Sequence, residues 1–304
     1  MSSETGLSTT ELRALSQVNE RRSIGLLVLD WLVIFAAILM ASHSYDPLIW
    51  IVAIVVVARQ QHALGVLMHD ACHFRLLRSK SANDFVGHWF CAAPLFFSLK
   101  TYRFLHLTHH KDPMGPGDPD LAINGGYPIE KESFKRKITR DLTGRTFTKI
   151  VKFYTAVPPN VTLESSWWAR YPIPSGILFN VLLFKLIDLM AGPTAFFVFW
   201  LLPLVTLLPF MLRIRALAEH AGFEPNPDQS QNARTMLPSW QTWLMAPHNV
   251  NYHVEHHLYP SITFFRLPEA HRTLKSRGAI PADRQFSSYK EVISGLVKAN
   301  SPSP

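Results

Sequence analysis

Four apolar stretches constrain this chain more than anything else in it. They occupy residues 23–41 (SIGLLVLDWLVIFAAILMA), 48–68, 173–190 and 193–212. A helix rises about 1.5 Å per residue, so each is close to the length that crosses a hydrocarbon core of about 30 Å. They come in two pairs joined by short links, residues 42–47 and the dipeptide Ala191 and Gly192, and neither link contains Lys or Arg. The expected fold is therefore all-α and integral to a membrane. Four transmembrane helices form two hairpins and a helical cap lies outside, all within one domain of 304 residues.

Hydrophobic residues make up 48% of the chain and charged residues only 17%. The formal net charge of +8 comes from Lys and Arg that mostly flank the apolar blocks. That distribution fits the excess of positive charge on cytoplasmic loops and argues against nucleic-acid binding. It puts both termini, residues 69–172 and residues 213–300 on the cytoplasmic side. Two cysteines, Cys72 and Cys91, form no CxxC pair, so neither a disulfide framework nor a thiolate metal site is indicated. The polar first 22 residues lack an apolar core, which predicts no cleavable signal peptide.

Within this frame, residues 1–22 read as a polar leader with a short amphipathic helix over residues 10–19, placing Leu12, Leu15 and Val18 on one side. Such a helix is expected on the membrane surface or in solvent. Residues 85–99 are apolar but short and interrupted by Pro94, which suits a re-entrant or interfacial segment. The basic stretch 132–154 reads as surface helices facing anionic headgroups, and Trp167, Trp168 and Tyr171 as headgroup-level anchors. Asp30, inside the first span, requires a partner or a polar pocket.

The chemistry of the chain lies in its histidines. Residues 252–260 (YHVEHHLYP) carry His253, His256 and His257. Positions i, i+3 and i+4 share one helix face, so this spacing presents three imidazoles together. His106, His109 and His110 repeat the pattern, and His69 and His73 stand at i, i+4. His220, on a continuation of the fourth span, makes nine candidate ligands, too many for one ion. Imidazole binds iron, zinc, copper and nickel, and two ions account for nine donors most simply. Asp70 and Glu255 sit beside ligands and are candidates for orienting them, with Asp112 and Glu219 behind them. His62, His88, His248 and His271 lack the spacing and read as structural or supporting. Neither HLTHH nor HVEHH supplies the HExxH of a zinc protease.

The order HDACH, HLTHH, HVEHH between and after two membrane hairpins resembles the membrane fatty acid desaturase and hydroxylase superfamily, over roughly residues 24–270. The residues from Arg215 to His220 with Gly222, and the Asp-Pro-Asp-Leu after the second box, resemble bacterial acyl-lipid and dihydrorhizobitoxine desaturases. The resemblance implies two iron ions held in the cytosolic cap by His69, His73, His106, His109, His110, His253, His256 and His257. His220 resembles the further histidine that acyl-CoA desaturases place beyond the fourth span. They reach theirs through an Asn four residues earlier, where this chain has Ala216. It also implies dioxygen, a fatty acyl or related lipid substrate, and electrons from a separate donor such as a ferredoxin or cytochrome b5 with its reductase. A bacterial inner membrane is the expected location.

The reaction expected first is insertion of a double bond into a lipid chain. Hydroxylation, or oxidative decarboxylation of a fatty acid to a terminal alkene, would use the same site. A membrane metal transporter is a remote alternative, because transporters place ligands near the bilayer midplane.

Overall fold

The computed structural model describes residues 6–155 and 172–298, so the expected aromatic anchors Trp167, Trp168 and Tyr171 lie outside the described residues. The chain is mostly helical. Among the described residues, strands amount to two short parallel pairs, with Ile129 beside Val297 and Thr235 beside Gln285. Among the described residues, four helical segments are long and apolar enough to cross a membrane: Glu20–Ser42, Pro47–Cys72, Ile173–Ala191 and Pro193–His220.

Contacts divide the chain into two compact units. One comprises residues 19–104 and 140–211 and contains nearly all of the apolar segments. Its interior is built from Ile34, Ile38, Leu64, Leu67, Ile187, Trp200 and Leu204, all fully buried. Its outer surface is unusual for a protein in water. Leu32 is 60% exposed and Leu189 85%, with Leu29, Ile51, Val181 and Leu182 exposed as well. A surface this apolar is stable against lipid tails and costly against water.

Several polar groups inside this unit are matched to one another, as a medium without water favours. Asp30 accepts from Gln60 Nε2 at 2.9 Å, supplying the expected partner. The Trp200 indole donates to Asn180 Oδ1 at 2.8 Å, while Gln61 donates to the Trp200 carbonyl at 2.8 Å. The last span is wound irregularly for a chemical reason. Pro203 has no N–H, and its ring would meet the carbonyl four residues back in a regular helix. A wide π turn over Phe196–Leu201 precedes it, and the helix restarts as Leu207–His220.

The other unit comprises residues 1–18, 105–139 and 212–304. Here the leader departs from expectation. Its helix is Thr9–Leu15, opened by a capping box between Ser8 and Glu11 and ended at the C-cap Ser16, so Val18 lies beyond it. Its apolar face is packed against protein, while Thr9, Thr10, Arg13 and Ala14 stay exposed. Leu15 is buried against Tyr252, Ile262, Leu267 and Ala270, with Leu7, Leu12 and Tyr259 packed around them. Arg277 pairs with Glu11 at 2.6 Å, and Tyr259 Oη accepts from the Leu7 N–H at 2.9 Å. The C-terminal third offers apolar partners to the same face that would otherwise need lipid.

Residues 85–99, expected as a re-entrant or interfacial segment interrupted by Pro94, form a helix end, a π turn over Gly87–Ala92 and a 3-10 turn over Ala93–Leu95. Two amphipathic helices, Lys131–Leu142 and Arg145–Thr155, occupy the basic stretch.

Candidate metal centre

The first box ends the helix Pro47–Cys72. His69 lies in its last turn and His73 is its C-cap, with ring centroids 5.2 Å apart. Arg103 secures this end by donating to the Cys72 carbonyl at 2.8 Å and the Ala71 carbonyl at 2.9 Å, while Asp84 holds the guanidinium at 2.6 Å. Carbonyls at a helix C-terminus lack intrahelical partners, and the half-buried Arg103 satisfies them. Cys72 and Cys91 are both buried free thiols. Burial, reinforced by the charges of Arg75 and Arg103, lowers His73 to a pKa of about 3, so its imidazole is neutral at physiological pH.

The second box lies on the helix Leu99–Lys111, and the third makes the six-residue helix His253–Leu258, where all three histidines are buried. Each triplet shares a helix face, but its histidines enter two clusters. His106, His110 and His256 form one, with His110 Nε2 3.0 Å from His106 Nε2 and 2.9 Å from His256 Nε2. His109, His220, His253 and His257 form the other, with candidate ligand atoms all within 4.8 Å of one another. In the second box positions i and i+4 go together and i+3 crosses to the other cluster; the third box does the same with the clusters exchanged. At about 100° per residue, i and i+4 are only about 40° apart around a helix while i+3 and i+4 differ by about 100°.

The donor atoms fit a metal. His220 Nε2 is 2.7 Å from His253 Nε2, which is 3.2 Å from His257 Nε2, which is 3.3 Å from His109 Nε2. With a metal–imidazole bond of about 2.0–2.1 Å, ligands at right angles stand about 3 Å apart. Two of these rings have their other nitrogen engaged. His220 Nδ1 lies 2.9 Å from the Asn232 carbonyl, and His109 Nδ1 lies 2.9 Å from Asp118 Oδ2. A carbonyl cannot donate, so the His220 proton sits on Nδ1 and its Nε2 lone pair faces the cluster. Burial and the surrounding imidazoles hold His257 well below the usual histidine range. For His109 burial works the same way, but Asp120 and Asp118 outweigh it and raise the ring's pKa.

Carboxylates are placed unevenly around the histidines. Glu255 is fully buried and accepts from Thr235 Oγ1 at 2.6 Å, with its other oxygen against His271 Nδ1. It anchors the third box from behind. Glu219 is held by Arg215 at 2.8 Å and approaches His253 Nε2 at 3.7 Å. Asp70 is buried and Asp112 exposed. Asp118 was not among the sequence candidates. Its sequence signals are its place in the Asp-Pro-Asp-Leu motif and in a Pro- and Gly-rich loop, and that chemistry predicts a turn as readily as a support for histidine. The Asn232 carbonyl has no side-chain signal at all.

The fatty acid desaturase family model matches residues 45–285, a stretch that holds all three histidine boxes and His220. The chain belongs to the fatty acid desaturase family. It is an oxidoreductase of that type, and the four apolar helices agree with a membrane protein. Among its relatives, the dihydrorhizobitoxine desaturase of Bradyrhizobium elkanii is 27% identical over 80% of this chain and 72% of its own. The sn-1 oleoyl-lipid 12-desaturase of Synechocystis sp. is 25% identical over 73% of this chain and 67% of its own. The beta-carotene ketolase of a Paracoccus species is 23% identical over 81% of this chain and 90% of its own. The expected likeness to bacterial acyl-lipid and dihydrorhizobitoxine desaturases holds. Members of this family generally depend on a di-iron centre, and the desaturase-type chain described above has the histidine clusters to hold metal.

Proposed function

We propose that this chain is an oxygen-dependent desaturase of a fatty acyl or related lipid chain, carried above all by two groups of converging imidazoles. In this reading two irons are held by His69, His73, His106, His109, His110, His220, His253, His256 and His257. Two irons so bound would supply the reduction of dioxygen, with two external electrons, that removes hydrogen from an unactivated methylene. The protein's own part is positioning. The Nε2 atoms are aimed inward, burial holds His73 and His257 below the usual histidine range, and Asp118 and the Asn232 carbonyl hold ring protons outward.

Neutral ligands leave the metal charge to be balanced by nearby carboxylates, and Glu219 at 3.7 Å from His253 is suited to that role. By the positive-inside rule the termini and the histidines face the cytoplasm, in a bacterial inner membrane. A separate donor, a ferredoxin or cytochrome b5 with its reductase, brings the electrons.

Oxygen insertion is the second reading, favoured by the likeness to a ketolase over nine-tenths of that protein's length. Lipid and hydrocarbon profiling of a host expressing the chain, with and without oxygen, separates these outcomes by mass. Desaturation loses two hydrogens, hydroxylation gains oxygen and decarboxylation loses the carboxyl carbon. An oxygen-independent profile identical to that of the empty host would defeat the proposal.

A further inference from the structure

We infer that Asp118 is a positioning residue for one of the two metal ions, fixing His109 so that Nε2 faces the four-histidine cluster. The inference rests on the two-metal reading above and concerns a residue outside the histidine boxes. Asp118 is 4% exposed and His109 1%, so water does not compete for their contact. His109 Nδ1 lies 3.0 Å from Asp118 Oδ1 and 2.9 Å from Oδ2. A buried carboxylate in that position accepts, so Nδ1 carries the proton and the lone pair stays on Nε2, 3.3 Å from His257 Nε2.

The carboxylate is itself immobilised. Oδ2 accepts the Met114 N–H at 2.7 Å and Oδ1 accepts the Asp120 N–H at 2.8 Å. Met114 adopts φ +65°, a left-handed conformation uncommon for a residue with a side chain, and its N–H is the one spent on Asp118. Backbone held in a sparsely populated region points to a constraint worth its cost. Asp120 stands farther off, 3.7 Å from His109 Nδ1 with its side chain 33% exposed, and adds charge without a hydrogen bond. Among the described residues Asp118 reaches the histidines through His109 alone, so its influence should fall on His109's cluster.

The test uses full-length protein in detergent, stripped of metal and titrated with cobalt(II), read by visible absorption and by metal per chain. D118N keeps the size and an acceptor for one of the two backbone N–H groups but removes the charge and replaces the other oxygen with an amide N–H. Wild type should bind two ions. D118N should bind one as wild type does and the other about 10–100-fold more weakly, the range for removing a group that orients a ligand, with an altered absorption band. D120N should bind both nearly normally. If D118N binds two ions with wild-type affinity and spectrum, the inference is wrong. Equal weakening of both ions in a folded protein also overturns it, and an unfolded D118N would reassign Asp118 to loop support. A wild type that binds no cobalt would instead defeat the two-metal reading itself.

Discussion

His256 and His109 each stand at the i+3 position of their box and each crosses to the cluster its neighbours do not join. The sequence made their residue type and helical spacing legible, but not this division, which depends on where two helices from distant parts of the chain approach. His256→Ala and His109→Ala should each abolish turnover and lower bound metal per chain, measured by elemental analysis. Normal activity in either would remove that histidine from the ligand set. The same limit explains Asp118. A carboxylate is found by what it faces, and nothing in a Pro- and Gly-rich loop tells which way Asp118 will turn. Glu255 was put forward by its adjacency to His256, and its oxygens hold Thr235 and His271.

The helices were more legible than their surroundings. Span lengths follow from hydropathy, and the observed limits extend those expected by a few residues at most ends, with the last running on to His220. The leader's helix is shorter than expected, and its protein partners were not legible because an amphipathic face does not say what will cover it. Its docking depends on Glu11, held down to a pKa of about 2 mainly by hydrogen bonding to Arg277. A depressed carboxyl stabilises fully above its unfolded value and loses that contribution as pH falls through the folded one. Protection of residues 6–16 against hydrogen exchange should therefore weaken between about pH 4.5 and pH 2. Arg277→Ala should weaken it already at neutral pH, and unchanged protection would show that the apolar contacts suffice. Gly87 tests another element. A Cβ there would stand 2.5 Å from the Ala71 Cβ, in the helix turn that carries the first box. Gly87→Ala should cost about 1–3 kcal/mol by overpacking and lower metal content, since the atom in the way has no rotamer to give.

For the whole molecule, orientation is the property that sequence alone argued, through the distribution of Lys and Arg. It can be measured because both native thiols are buried. Tyr45, in the first link, is 99% exposed, so Tyr45→Cys gives a reporter that an impermeant maleimide can reach. Intact cells should label it, whereas a cysteine at Ser288, ahead of the last described helix, should label only after lysis. The reverse pattern would invert the topology. The crossed histidines carry a further consequence. Because each short helix serves both clusters, the distance between them is set by helical pitch rather than by how loops settle. One residue inserted between His253 and His256 would swing the later ligands by about 100° and disorganise both clusters at once. An insertion in the loop ahead of His253 would leave them in register. The spacing within a box thus acts as a ruler, and its tolerance is less than one residue.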